Sequence, residues 1–297
     1  MQRPQHVPVL LDEVMEYLHV RPGGVIADTT LGLGGHSAAI ARSLGGRGRL
    51  ICFDRDPQAM ELGKARLEEL RGELGAEMPA VEFVPKAFSE AGSELKPGSL
   101  DGLLADFGVS SLQLEEARRG FSFRADGPLD MRMDPRSGET AEQVVNEAGE
   151  DELANLIYEF GEERRSRRIA RAIVRARPIS STAHLAQVIS AAAHPMKGEK
   201  IHPATKTFQA IRIRVNDELG EIQTLLKSAG SLLKPGGRVV MISFHSLEDR
   251  LVKDAFRDAG REKVLTVLTK KPVVAKEQEQ MRNPRSRSAK MRAAEKI

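Results

Sequence analysis

GVIADTTLGLGGHSAAIARSLGGRGRLICFD, residues 24–54, reads as a strand, a glycine-rich turn, a helix and a second strand in direct succession. An apolar run over 24–28 stops on Asp28, and Gly32, Gly34 and Gly35 then open a turn that only residues without a Cβ make easily. A helix follows over 35–43 and a second apolar run over 49–53, which stops on Asp54. Two strands joined through a helix run parallel, because a tight hairpin cannot join strands pointing the same way. Working outward, further β-rich runs lie at 81–84, 100–105 and 238–244, with helical periodicity at 9–19 and 57–72 between or before them. This alternation predicts an α/β fold built on a parallel sheet.

After Asp106 the rhythm changes, and about a hundred residues pass with helical periodicity and many charges but no buried-strand pattern. Leu153, Ile157 and Phe160 form one apolar stripe, and Ile169, Ala172, Ile173 and Ala176 another, with Arg164, Arg168, Arg171 and Arg175 on a different face. We read this stretch as a helical insertion after the fourth strand, spanning 113–205 and dividing the sheet domain into 1–112 and 206–297. A helix at 215–233, a Lys-Pro-Gly-Gly turn at 234–237, the strand ending at Phe244, a helix at 247–258 and a strand at 263–269 complete the sheet domain. The last twenty residues are polar and read as loop.

The chain has 297 residues, 40% hydrophobic and 29% charged, which suits a folded protein with a substantial core rather than a disordered one. No apolar run approaches the roughly 18 residues a membrane span needs, and the amino terminus lacks a secretory pattern. A cytoplasmic location is therefore expected. The lone cysteine, Cys52, has no internal disulfide partner, and no Cys/His cluster has zinc spacing, so no metal is expected. The net charge of +3 is unevenly spread: residues 276–297 hold seven Lys/Arg against three Asp/Glu, so the rest sums to about −1. Basic blocks at 161–177 (seven Arg, two Glu) and 196–214 (five Lys/Arg, one Glu) add to the tail. Such patches favour a polyanionic partner.

Ligands of open parallel sheets bind beyond the carboxyl ends of the strands. There the sequence supplies the 28–37 Gly loop and Asp54, placed to accept hydrogen bonds from both hydroxyls of a ribose. A dinucleotide fingerprint requires a third glycine at position 37, which is Ser37. An acidic residue ahead of a shorter glycine cluster fits S-adenosylmethionine better, since that molecule has no pyrophosphate to seat on a helix N-terminus. Phe88 lies beyond the third strand, where a ring can pack on adenine. Asp106-Phe107-Gly108-Val109-Ser110-Ser111 follows the fourth strand beside the expected methyl donor. His245 follows the strand ending at Phe244, and Ser246 with Asp249 reads as a capping box for the next helix.

These motifs, together with others in a fixed order, resemble the MraW/RsmH family of bacterial 16S ribosomal RNA cytosine-N4 methyltransferases. The resemblance rests on HVPVLLDEV (6–14), GLGGHS (32–37), DRDP (54–57), DFGVSS (106–111), GFSFRADGPLDMRMD (120–134), GEERRSRRIARAIV (161–174), HPATKTFQAIRI (202–213), SFHSLEDR (243–250) and NPRSRSAKMR (283–292), nearly end to end. It implies a Rossmann-like class I S-adenosylmethionine-dependent methyltransferase sheet, with the insertion recognising RNA. The implied target is the N4 amine of cytosine 1402, in ribosomal numbering, within the small ribosomal subunit. Carried over motif by motif, the cofactor contacts fall on Gly34, Gly35, His36, Asp54, Phe88, Asp106 and Gln113. RNA contacts are expected at Arg164, Arg168, Arg171, Lys206, Arg212, Arg285 and Arg287. The chain departs from the family pattern with Leu112 in place of Pro, Phe107 in place of Leu and Lys206 in place of Arg, which loses a bidentate phosphate grip. A homodimer is left open.

The N4 lone pair of cytosine is delocalised into its ring, so catalysis is mainly positioning of the amine in line with the donor methyl. An acceptor for an amine hydrogen localises that lone pair, and Asp106 is the candidate catalytic residue. The tetrapeptide Asn/Asp/Ser-Pro-Pro-aromatic, common in amino methyltransferases, is missing, and DFGVSS stands in its place. Phe107, Phe121, Phe123 and Phe244 are the candidates for stacking on an extruded base. Two alternatives use the same fold: an RNA-binding assembly factor without catalysis, and a nicotinamide-dependent oxidoreductase, which Ser37 and the insertion disfavour.

Overall fold

The computed structural model describes residues 7–193 and 201–297. In chain order the first elements are α1 (Leu11–Leu18), β1 (Val25–Asp28), α2 (Gly35–Leu44), β2 (Arg49–Phe53), α3 (Pro57–Leu74), β3 (Ala80–Val84), α4 (Ala91–Glu94) and β4 (Leu100–Asp106). Six helices follow: α5 (Ser111–Glu115), α6 (Ala141–Glu147), α7 (Glu150–Gly161), α8 (Ser166–Ala176), α9 (Thr182–Ala192) and α10 (Ala204–Asn216). The chain then continues through α11 (Glu218–Leu232), β5 (Leu233–Ser243), α12 (Ser246–Arg261), β6 (Leu265–Val267), α13 (Glu277–Arg282) and β7 (Lys290–Lys296). It forms two compact units, one of residues 1–108 with 219–297 and one of residues 109–218. Among the described residues no helix is long and apolar enough to cross a membrane.

The first unit is a seven-stranded sheet in the order β3-β2-β1-β4-β5-β7-β6. Strands β1 to β5 pair parallel, and β7 runs antiparallel to both β5 and β6. Side chains alternate across the sheet, as the period of two requires. Ile26, Leu50, Cys52, Leu104, Val240 and Ile242 face one core with Val14 and Leu18 of α1, Ile40 of α2 and Leu67 of α3. Ala27, Ile51, Phe53, Leu103, Val239 and Met241 face the other, with Ile222 and Leu225 of α11 and Phe256 of α12. With both faces covered, the strands read as continuous apolar runs, and the expected Rossmann-like α/β sheet is present.

Two expectations need correction. The last twenty residues are not loop, since β7 lies between β5 and β6 with Met291, Ala293 and Ala294 fully buried. Polar residues disguised it: Arg292 is buried in an ion pair with Asp249 of α12, with Nε to Oδ1 at 2.7 Å, and Glu295 pairs with Arg238 at 2.7 Å. The domain boundaries also differ, because α10 belongs with the helical unit rather than with the sheet. Phe208, Ala210 and Ile211 of α10 sit in the core formed by α6 to α9. A Cβ on Gly161 of α7 would lie 2.6 Å from the carbonyl oxygen of Lys206, so the two backbones touch. Asn216, at the end of α10, accepts the Met133 N–H at 2.7 Å and donates to the Met131 carbonyl at 2.7 Å, anchoring the 120–134 motif.

Met291→Ala should lower stability by roughly 2–5 kcal/mol, the usual result of emptying a buried methionine site. Urea unfolding checks this, and an unchanged midpoint would return the tail to a loop.

Candidate functional site

The carboxyl ends of β1, β2 and β4 bring three carboxylates together with the Gly loop. Asp28 ends β1 and is fully buried. Ser37 donates its hydroxyl hydrogen to Asp28 Oδ2 at 2.6 Å, and the Thr30 N–H donates to Oδ1 at 3.1 Å. Position 37, where a dinucleotide site needs glycine, is therefore used by a serine that fixes the strand-end carboxylate. Burial raises the Asp28 carboxyl above its ordinary range despite these donors.

Asp54 follows β2 and holds the Gly loop in place, accepting the Gly32 N–H at 2.8 Å on one oxygen and the Asp56 N–H at 2.9 Å on the other. Burial pushes its carboxyl up to about 6, against the lowering effect of those two amides. Asp56 caps α3 by accepting the Gln58 N–H at 3.0 Å, and Pro57 fills the first helical position, so DRDP combines a site residue with a helix start. Gly34 caps α2 with φ at 72°, a conformation that disfavours other residues. Gly35 is needed for a different reason: a Cβ there would lie 2.5 Å from Cγ of Pro8.

Asp106 ends β4, and its N–H donates to Thr30 Oγ1 at 2.7 Å. Its Oδ2 lies 3.7 Å from Nδ1 of His36. Its Oδ1 is buried with no hydrogen-bond partner among the described residues. Burial pushes the Asp106 carboxyl up to about 6; His36 and Arg285 oppose that rise, and Asp28 and Glu248 add to it. His36 is itself buried, with Nε2 2.9 Å from the Val9 carbonyl, so this imidazole braces Asp106 against the segment ahead of α1. A buried carboxylate oxygen without a donor, beside a second half-buried carboxylate and an open Gly turn, fits a ligand that brings both hydroxyls and an N–H. S-adenosylmethionine and an amine substrate together have that chemistry.

The candidate aromatic rings divide between the two units. Phe88, after β3, is half-buried and tilted against Phe107 at 5.4 Å between centroids. Phe107 and Phe121 are core residues, whereas Phe244 is half-buried with its ring against the backbone of Gly108. Phe123 belongs to the helical unit and packs on His202 and Phe208. His245 is the N-cap of α12, and the reciprocal partner is Glu248 rather than Asp249. Glu248 Oε2 accepts the N–H groups of Phe244 at 2.7 Å and His245 at 3.2 Å.

Gln113 lies in the helical unit, where its Oε1 accepts the Ser110 N–H at 2.9 Å in the cap of α5. Arg164 and Arg168 are exposed, without an ion-pair partner among the described residues. Arg171 is 3.2 Å from Glu150, and Lys206 donates to the Glu162 carbonyl at 3.1 Å. Arg212 differs from the others, since its fork grips Glu218 at 2.7 and 2.8 Å in a largely buried pair. Arg285 is half-buried and near enough to Asp106 to favour its ionised form, while Arg287 is exposed. Lys197 and Lys200 of the 196–214 block lie outside the described residues. The sequence reading missed Thr30 as a partner of Asp106, which is 76 positions away and has no local signature. It also missed Glu248, although the spacing of three from His245 was a legible cap signal.

The MraW methylase family model matches residues 3–297. The chain is 68% identical over 296 residues to the ribosomal RNA small subunit methyltransferase H of Acidobacterium capsulatum, covering 100% of each. It is 58% identical to the protein of the same name from Koribacter versatilis, covering 97% of this chain and 93% of that one. In structure it is similar to a crystal structure assigned as an rRNA methylase from Clostridium thermocellum, with a TM-score of 0.50 at 13% identity, covering 98% of this chain and 100% of that one. At that identity the likeness concerns the fold alone.

Because the folded Asp106 binds its proton more tightly than the ordinary carboxyl at 3.8, its ionisation opposes folding increasingly as pH rises from about 3.8 to about 6, and the penalty is constant above that. Asp106→Asn should therefore raise the thermal midpoint at pH 8, with the gain level down to about pH 6 and shrinking as pH falls from there toward about 4. A midpoint shift independent of pH would contradict the buried, raised carboxyl.

Proposed function

The chain belongs to the MraW methylase family, and we propose that it transfers a methyl group from S-adenosylmethionine to the exocyclic N4 of one cytosine, position 1402 in ribosomal numbering, of 16S RNA in the small ribosomal subunit. The observation that carries this reading is the partnerless Oδ1 of Asp106 at the end of β4. An amine whose lone pair must be localised offers the hydrogen this oxygen lacks. The names of the relatives, which call them methyltransferases of small-subunit ribosomal RNA, support the substrate.

S-adenosylmethionine supplies an electrophilic sulfonium methyl. Asp54 would accept hydrogen bonds from its ribose hydroxyls, the 32–35 turn would lie along its backbone-facing edge, and Phe88 would pack on its adenine. Gln113 would complete the methionine end. Asp106 Oδ1 accepts a hydrogen bond from the cytosine amine, which holds the lone pair toward the donor as the new N–C bond forms. After transfer the amine nitrogen carries a surplus proton, and the ionised Asp106 takes it and passes it to solvent. His36 and Arg285 act through Asp106, favouring its charged form. Phe244, whose ring lies on Gly108 beside Asp106, is the candidate surface for the extruded base. Arg164, Arg168, Arg171, Lys206 and Arg287 would bind phosphates without reading sequence.

Labelled methyl transfer to undermethylated small subunits, with naked 16S RNA and DNA in parallel, tests the whole reading. N4-methylcytidine at one site is expected, and cofactor binding without transfer to any of them would favour an assembly factor instead. Asp106→Ala should lower turnover by about 100-fold or more, in the range of lost acid–base assistance. In the unmodified enzyme turnover should climb as pH rises through about 6, because only the ionised carboxylate accepts the proton. A flat profile across pH 5–8 would remove Asp106 from that role. Arg164→Ala with Arg168→Ala should leave cofactor affinity unchanged and reduce the salt dependence of RNA binding by roughly 0.7 in log–log slope per lost phosphate contact.

A further inference from the structure

The helical unit holds an aromatic assembly that the proposed reaction does not use. Phe208 of α10 is buried in the core of that unit. Phe123, from the 120–134 motif, meets it edge-on at 4.9 Å and 69° and is itself half-buried. The imidazole of His202 lies on Phe123 at 4.6 Å and 35°, and His202 is exposed. The three rings thus pass from core to surface, with the imidazole outermost. Its orientation is fixed at a second point, since Nδ1 accepts the Ala204 N–H at 3.2 Å at the start of α10. A histidine needed only to cap the helix does not need a ring stacked beneath it. A histidine needed only for packing is normally covered.

Two cations lie on the segments joined to the one that carries this ring. Lys206 lies one helical turn along α10, with Nζ on the Glu162 carbonyl at 3.1 Å. The contact of Gly161 with the Lys206 carbonyl joins the turn at 161–164 to the first turn of α10. Exposed Arg164 ends that turn. A rigid, open π-face beside Lys and Arg is what unpaired bases use, stacking on the ring while their phosphates are neutralised.

We propose that His202, seated on Phe123, is a stacking platform for an unpaired base of the RNA, with Lys206 and Arg164 holding the adjoining phosphates. This inference rests on RNA being the substrate. Stacking reads the face of a base and not its edge, so the platform tolerates any base and responds to whether a base is present.

The test uses the full-length protein and single-stranded RNA oligomers about ten nucleotides long, a length within the usual range for such sites, intact or with one abasic position moved along the strand. His202→Asn keeps an acceptor for the Ala204 N–H and removes the ring, whereas His202→Trp keeps a ring and enlarges it. His202→Asn should weaken binding of the intact oligomers roughly tenfold, with its salt slope unchanged, and His202→Trp should bind at least as tightly as the unmodified protein. Lys206→Ala should instead lower the slope by about 0.7. One abasic position should weaken the unmodified protein and leave His202→Asn indifferent. Equal affinity of His202→Asn and the unmodified protein would overturn the platform, as would equal losses in the Asn and Trp variants with lowered melting points. Methyl transfer to small subunits by the unmodified protein, run alongside, separates the cases: transfer with an indifferent His202→Asn defeats the platform alone, and no transfer defeats the RNA reading on which it rests.

Discussion

Three carboxylates, Asp28, Asp54 and Asp106, stand at the ends of adjacent parallel strands, the first fully buried and the other two half-buried, and much of the local structure exists to hold them there. Parallel pairing of β2, β1 and β4 fixes their spacing: Asp28 pairs with Cys52 and Leu104, so Asp54 and Asp106 each follow two residues beyond its register. Burial alone would favour their neutral forms. The donors around them are backbone amides and hydroxyls: Gly32 and Asp56 for Asp54, Thr30 and Ser37 for Asp28. Asp106 is treated differently, since one oxygen faces His36 and the other has no donor. A folded protein that leaves a buried carboxylate oxygen unsatisfied accepts a loss of stability. That loss makes sense where a ligand supplies the missing hydrogen bond.

The glycines of the loop answer to separate constraints. Gly34 is required by a left-handed cap, Gly35 by contact with Pro8, and Gly63 of α3 by the Leu31 side chain, 2.6 Å from where its Cβ would lie. Only the first is a property of the turn itself. The second comes from the segment ahead of α1 and the third from the packing of α3 on Leu31 of the loop, and the Val9 carbonyl that receives His36 comes from the same segment as Pro8. The chain ahead of α1 therefore takes part in shaping the site through a buried histidine. That segment is tied in turn to the carboxyl-terminal region, where Glu279 accepts the Leu10 N–H at 2.8 Å and Asn283 donates to the Val7 carbonyl at 3.0 Å.

Basic residues that look alike in sequence differ in what they are free to do. Arg164 and Arg168 stand on the exposed side of a helix turn and stripe whose other face, Ile169 and Ile173, is buried. Arg212, one block further on, spends both arms of its guanidinium on Glu218. Arg285, in the polar tail, lies by Asp106 and acts on its charge. Charge density identified the blocks, and partner geometry sorted the residues within them.

The sequence by itself determined the strand–helix alternation, the Gly loop, the carboxylates that end β1, β2 and β4, and the presence of a helical insertion. All of these are local patterns of apolar period and turn chemistry, set by the backbone geometry of a few residues at a time. Only the tertiary structure decided that 290–296 is a buried antiparallel strand, because its ladder partners Val239 to Ile242 lie about fifty positions away and its polar side chains are neutralised by distant Asp249 and Glu295 by Arg238. The same holds for α10, whose membership of the helical unit depends on the close approach of Gly161, and for the pairing of Asp106 with Thr30 and His36. Contacts between residues far apart in the chain leave no periodic trace, since what selects them is complementary shape and the need of buried polar atoms for partners.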